Sequence, residues 1–126
     1  LDDAGVEPTR LGYINAHGTA TEANDASESQ SIRLALGDAA ERVPVGANKS
    51  YFGHTLGASG ALETITALLA LEHGEAPPNL NLERPDPACE LDLIGDEPRR
   101  IDSPWAMKNS FGFGGGNGVL ILRGAG

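Results

Sequence analysis

The sequence predicts an α/β fold: a mixed sheet with helices packed beside it, one of them buried. Three observations lead there. Short apolar runs alternate with helical segments. The segment ASGALETITALLALEHG (58–74) is apolar on every side, with Glu63 as the one charge before its last turn, the pattern of a helix buried all round. The chain then closes on WAMKNSFGFGGGNGVLILR (105–123), two strand-like runs around a glycine turn. With 126 residues, we read 1–126 as a single domain.

Taken in order, LGYINA (11–16) is a short apolar strand that runs into HGTATEAND (17–25), whose Gly, Thr and Asn content marks a loop. A helix is expected from Asp25. Asn24 or Asp25 serves as its cap, Glu28 completes a capping box, Ile32, Leu34, Ala35 and Leu36 form its apolar side, and Gly37 ends it. VPVGA (43–47) reads as a second strand, followed by the glycine-containing loop NKSYFGH (48–54) and the apolar helix closed by Gly74. Residues 76–104 form a proline-rich excursion with one short extended piece at 91–94. In such sheets ligands bind at strand ends, so the loops HGTATEAN, NKSYFGH and SFGFGGGN are expected to converge on one pocket.

Charge and cysteine content exclude several function classes. A net charge of −9 with only nine scattered Lys and Arg residues speaks against nucleic acid as a partner, and the doublet Arg99-Arg100 is read as a solvated loop. No run approaches the ~18 apolar residues of a membrane span, and no basic-then-apolar leader opens the sequence, so a cytoplasmic protein is expected. One cysteine, Cys89, allows neither an internal disulfide nor a multi-thiolate metal site. The first residue is Leu1, not Met, which leads us to expect a piece of a longer protein.

The chemistry lies in the loops. His17 directly follows a strand, and a neutral imidazole there donates one N–H to a substrate oxygen while its other nitrogen is fixed by a partner; the alternative is a histidine satisfied in a turn. His54 occupies a matching loop, and two imidazole donors aimed at one point form an oxyanion hole. Metal binding by the pair is disfavoured because no third ligand stands at a characteristic spacing. Glu63, a carboxylate on an apolar helix, requires a partner, and Lys49 is the nearest candidate; otherwise Glu63 faces solvent. SFGFGGGNG (110–118) lacks the lysine of a phosphate loop and does not open a helix. Its glycines suit a gate that carries Phe111 and Phe113. Thr19 and Thr21 can bond an amide-bearing arm, or act only as local caps.

Together NAHGTATEAND (15–25), NKSYFGHTLGASGALE (48–63), PPNLNLERPDP (77–87) and NSFGFGGGN (109–117) closely resemble the C-terminal half of the beta-ketoacyl-[acyl carrier protein] synthases, the condensing enzymes of fatty acid and polyketide synthesis. The resemblance implies a thiolase-like fold of which this chain is the C-terminal half, and a decarboxylative Claisen condensation of an acyl thioester with malonyl-[acyl carrier protein]. It implies His17 and His54 as the catalytic histidines, Lys49 as the lysine that supports them and Glu63 as the partner of that lysine. It also implies Phe113, with Phe111 beside it, as the gate, and Thr19 and Thr21 as lining for the phosphopantetheine tunnel. Asn15, Glu63, Asn109 and Ser110 match positions near a structural cation in some members.

No cofactor is implied beyond the phosphopantetheine of the acyl carrier protein, the expected partner, and a homodimer is expected of the complete enzyme. The carrier docks mostly through basic residues, which this acidic segment hardly provides. The family's nucleophilic cysteine belongs to the other half, and Cys89, in the acidic loop DPACELD (86–92), is a poor substitute because neighbouring carboxylates disfavour a thiolate. Two other readings stand beside this one. A non-catalytic chain-length-factor subunit has no reason to keep His17, Lys49 and His54 together, and a thiolase would carry a second cysteine in the loop GFGGGNG (112–118), which contains none. The compact KSYFGHTLGASG (49–60) and Glu63 resemble the discrete fatty-acid type more than the modular polyketide type.

Overall fold

A computed structural model describes residues 1–125. Its centre is a four-stranded sheet in the order β2 (Val45–Gly46), β1 (Leu11–Asn15), β5 (Trp105–Phe111), β6 (Asn117–Arg123). β1 runs parallel to both β2 and β5, while β5 and β6 form an antiparallel hairpin, so the sheet is mixed as expected. Successive side chains of a strand point to opposite faces, and along β1 and the middle of β5 both faces are covered, whereas β6 is largely exposed. On one face Ile14 and Met107 meet Ile32 and Leu36 of α1 (Glu22–Leu36). On the other, Tyr13 and Ala106 meet Ala67 and Ala70 of α3 (Ser59–His73). The four-residue α2 (Lys49–Phe52) lies between β2 and α3, and Gly74 in the left-handed region (φ 67°) ends α3.

Three elements differ from the sequence reading. α1 starts at Glu22, one turn before Asp25, and no side chain caps it. The Asp25-to-Glu28 spacing is a capping-box pattern, but Glu28 is turned inward and bonded to the backbone of the loop after β1. α3 is not buried all round within this chain: Ser59, Glu63, Ala67 and Ala70 form the buried stripe, whereas Leu62, Ile65, Leu68 and Leu69 are exposed. Residues spaced by three or four share a face, and Ala67 and Ala70 let that face approach the sheet closely, leaving the leucines outside. Arg99–Arg100 is not a loop but a two-residue strand, β4, paired with β3 (Glu75–Ala76) and closing the proline-rich excursion. Arg99 holds Asp92 through both of its terminal nitrogens, and Arg100 pairs with Asp102.

The extended piece at 91–94 is present as a parallel bridge between Leu93 and Val45. Asn79, from the PPNLNL stretch, staples this excursion to the sheet: its Oδ1 accepts from the Ala47 N–H at 2.7 Å and its Nδ2 donates to the Ile94 carbonyl at 2.8 Å. Among the described residues, no helix is long and apolar enough to cross a membrane.

Ala67 is fully buried between α3 and the sheet. Ala67→Leu is expected to lower the unfolding free energy of the full-length protein by about 1–3 kcal/mol through overpacking, read as a lower denaturant midpoint at unchanged m-value.

Candidate active site

The site is assembled where β1 and β2 end. β1 delivers Asn15 and, just beyond it, His17; β2 leads into Asn48 and the short helix α2 that starts with Lys49; the loop after α2 carries His54. The turn at His17 depends on Gly18, whose φ of 45° is left-handed and whose position next to Ala47 leaves no room for a Cβ atom. Glu28 fixes this turn. Its two carboxylate oxygens accept the backbone N–H groups of His17 (2.8 Å) and Gly18 (3.0 Å), and Asn109 Nδ2 donates to Oε1 at 3.0 Å. Glu28 is itself buried, so a carboxylate spent on backbone donors replaces the water it lost.

Lys49 and Glu63 are paired as expected. Lys49 Nζ contacts Glu63 Oε1, and it also donates to the His17 carbonyl and lies 3.3 Å from His17 Nδ1. An ammonium can only donate, so Nδ1 of His17 is the acceptor and the ring proton sits on Nε2. Burial, reinforced by the Lys49 ammonium, holds the His17 pKa below its ordinary value of 6.5. His17 is therefore a neutral Nε2–H donor at physiological pH.

His54 reaches the same tautomer by another route. The backbone N–H of Leu56 donates to His54 Nδ1 at 3.2 Å, and Ser59 Oγ lies 3.1 Å from the same nitrogen. Leu56 holds that N–H in place with a left-handed backbone, φ 51°, which is costly for a leucine. The two rings meet edge-on with centroids 5.6 Å apart. Two neutral donors this close suit an oxygen that gains negative charge, and neither gives up a proton readily.

A cavity of about 610 Å³ has His54, Lys49, Thr19 and Thr21 in its wall, together with Ala16 and Gly18 on either side of His17, whose own side chain is not part of the lining. Thr19 and Thr21 are exposed and bonded to each other at 3.0 Å. Cys89 also lines this cavity. Of the two phenylalanines, Phe111 packs against the His17 ring at 5.7 Å, whereas Phe113 is fully exposed. Tyr51, from the aromatic doublet in the His54 loop, ties α2 to the excursion by donating to the Pro78 carbonyl at 2.8 Å.

The sequence reading missed two charged residues here. One is Glu28, whose acidic side chain three residues after Asp25 signalled a cap. The other is Lys108, only 1 % exposed, which lies 2.7 Å from Glu63 Oε2 and donates to the Asn109 carbonyl at 2.6 Å and to Ser110 Oγ. The lysine stands in the middle of an apolar strand pattern, where alternation alone assigns it no partner. Asn15 Nδ2 donates to Asn48 Oδ1 and, at 3.3 Å, to the Glu63 carbonyl, while Asn15 Oδ1, Asn109 Oδ1 and Glu63 Oε2 are buried without a hydrogen-bond partner among the described residues.

Glu63→Gln is expected to destabilise the full-length protein by about 3–5 kcal/mol, because both lysines then lose their buried counter-charge; urea unfolding measures it. As pH falls through 6.5 the unfolded chain takes up a proton at residue 17 that the folded chain refuses. Stability should therefore rise with pH up to about 6.5 and show no further contribution from His17 above it. The denaturant midpoint followed across pH, with His17→Asn as control, measures that slope.

The chain is similar to known proteins over nearly its whole length. The family model described as beta-ketoacyl synthase, C-terminal domain, matches residues 1–83. The chain is 50% identical over 122 residues to a 3-oxoacyl-[acyl-carrier-protein] synthase 2 of Coxiella burnetii, covering 97% of this chain and 30% of that protein. Among solved structures, a protein described as the ishigamide ketosynthase/chain length factor superposes with a TM-score of 0.93 at 44% identity, over 100% of this chain and 31% of that one. A type II polyketide ketosynthase bound to its hexaketide, in complex with its acyl-carrier protein, superposes with a TM-score of 0.94 at 36% identity, again over 100% and 31%. This chain thus spans about a third of the length of the proteins it matches.

Proposed function

The chain belongs to the beta-ketoacyl synthase C-terminal domain family, and on that premise we propose that the protein carrying it is a 3-oxoacyl-[acyl carrier protein] synthase. In this reading it condenses an acyl thioester with malonyl-[acyl carrier protein] in fatty acid or polyketide synthesis. The observation that carries the proposal is the pair of histidines with ring centroids 5.6 Å apart, each with its Nδ1 taken by a donor so that its proton sits on Nε2, and with His54 in the wall of a cavity.

The reaction needs such a pair. When the bond between the malonyl methylene carbon and its carboxylate breaks, carbon dioxide leaves and the electron pair passes onto the thioester as an enolate. His17 and His54 stabilise the enolate oxygen through their Nε2–H groups. The methylene carbon then attacks the acyl carbonyl, and the nucleophile's thiolate departs. Both donors interact most strongly with the charged intermediate, so they lower the barrier and not merely the substrate's energy. Lys49 is a positioning residue that holds the His17 tautomer, and Glu63 holds Lys49. The nucleophilic cysteine is assigned to the part of the protein outside this chain.

Thr19 and Thr21, on the cavity wall, are assigned to the phosphopantetheine arm. Phe111 against His17 and the exposed Phe113 are assigned to the gate, with glycines on both sides of Phe113 giving it freedom to swing. The carrier protein is the proposed partner, supported by the related ketosynthase solved with its own carrier. A homodimer of the complete enzyme, together with the other half of the chain, would cover the apolar side of α3.

His54→Ala in the full-length protein is expected to cut malonyl-carrier decarboxylation by about 10²–10³-fold while acyl loading of the nucleophile continues. Carbon dioxide release and intact mass after incubation with an acyl donor separate the two steps. Unchanged carbon dioxide release would refute the role given to His54. Absence of an acyl adduct on folded protein would favour a chain-length-factor-type subunit.

A further inference from the structure

Lys108 has no part in the reaction as described, yet it is one of the most deeply buried large side chains in the chain. Its ammonium faces three oxygens: Glu63 Oε2 at 2.7 Å, the Asn109 carbonyl at 2.6 Å, and Ser110 Oγ. Glu63, Asn109 and Ser110 are three of the four residues that the family resemblance sets around a structural cation. The residues present do not fit an added cation. Both Glu63 oxygens already face ammonium groups, Lys49 on Oε1 and Lys108 on Oε2, and Lys108 occupies the Ser110 hydroxyl and the Asn109 carbonyl.

Charge bookkeeping points the same way. The buried charged residues of the site are Glu28, Lys49, Glu63 and Lys108, two negative and two positive, which cancel. Inserting a cation would leave an uncompensated positive charge where water does not reach, and burying an unpaired charge is among the largest penalties in a protein. Three oxygens of the site, Asn15 Oδ1, Asn109 Oδ1 and Glu63 Oε2, are buried without a hydrogen-bond partner among the described residues; the charge of Glu63 Oε2 is met by the Lys108 ammonium 2.7 Å away, and the two amide oxygens are neutral and bring no charge to hold an ion.

We propose that Lys108 is the site's own cation: its ammonium occupies the position a metal ion would take against Glu63, so that this protein is independent of bound metal, and removing the lysine converts the site into one that recruits a monovalent cation. The second clause follows from the same balance. Without Lys108 the buried set carries one net negative charge, with the Glu63 carboxylate, the Asn109 carbonyl, the Ser110 hydroxyl and the amide oxygens of Asn15 and Asn109 left as oxygen ligands, the donor set that alkali cations prefer.

The proposal rests on reading Glu63 and Lys49 as the support of the histidine pair, but its readout is ion occupancy and thermal stability, which do not depend on condensation. The full-length protein and its Lys108→Ala variant are exchanged into choline chloride and then into potassium or sodium chloride at equal ionic strength. Bound metal is measured by elemental analysis, and Tm is followed in each salt. Wild type should carry no stoichiometric cation and keep its Tm. Lys108→Ala should lose about 5–10 °C in choline, regain most of it in potassium or sodium, and bind one ion per chain.

A stoichiometric cation retained by wild type, or a wild-type Tm that falls in choline, would overturn the proposal. So would a folded Lys108→Ala protein that is indifferent to the salt. If that variant fails to fold in any salt, Lys108→Gln is read in the same way, and the wild-type measurement decides on its own. Protein with the expected ion behaviour but no condensing activity would count against the proposed function and leave this inference standing.

Discussion

The arrangement depends on one carboxylate. Glu63 is completely buried on the inner stripe of α3, between the ammonium groups of Lys49 and Lys108. Those lysines arrive from different parts of the chain, one on the short helix after β2 and the other in the middle of β5. Removing three charges from water costs more than any one attraction returns, so the cluster persists only because the geometry satisfies each member at once. What it provides is position. A helix, the sheet and a loop are locked at the point where the two histidines meet.

Position then sets the chemistry of the histidines. Lys49 touches the backbone oxygen and Nδ1 of His17, so the same ammonium that neutralises Glu63 also decides which ring nitrogen carries the proton. On the other side, Glu28 takes the backbone amides of His17 and Gly18 and the side chain of Asn109. His17 is thereby held through its main chain by one carboxylate and through its ring by a lysine. His54 is held more lightly, by one backbone amide from a strained residue and one hydroxyl. The two donors are therefore held differently, His17 in the interior and His54 on an exposed loop.

Local patterns carried much of the fold in the sequence itself. The β5 and β6 hairpin was legible because apolar runs flank a glycine turn, and the end of α3 because Gly74 supplies a left-handed cap. The start of α1 was not, since Asp25 and Glu28 stand at capping-box spacing while Glu28 finds stronger donors in the loop after β1. The apolar breadth of α3 pointed to complete burial, yet within this chain only the stripe of Ser59, Glu63, Ala67 and Ala70 is covered. Hydrophobic composition shows that a surface needs a partner, without showing whether the same segment provides it.

For the site, the sequence by itself determined which side chains were available: His17, Lys49, His54 and Glu63 stand in loops and on a helix where their types make sense only as a cluster. Their motifs were specific enough to place the chain in its family. The tertiary structure alone decided which nitrogen of each histidine carries the proton, that Glu28 turns inward, and that Glu63 is shared by a second lysine 45 residues further along the chain, Lys108. The reason is physical. Tautomers, buried ion pairs and charge balance are set by distances between groups far apart in sequence, and no local pattern of residues encodes those distances.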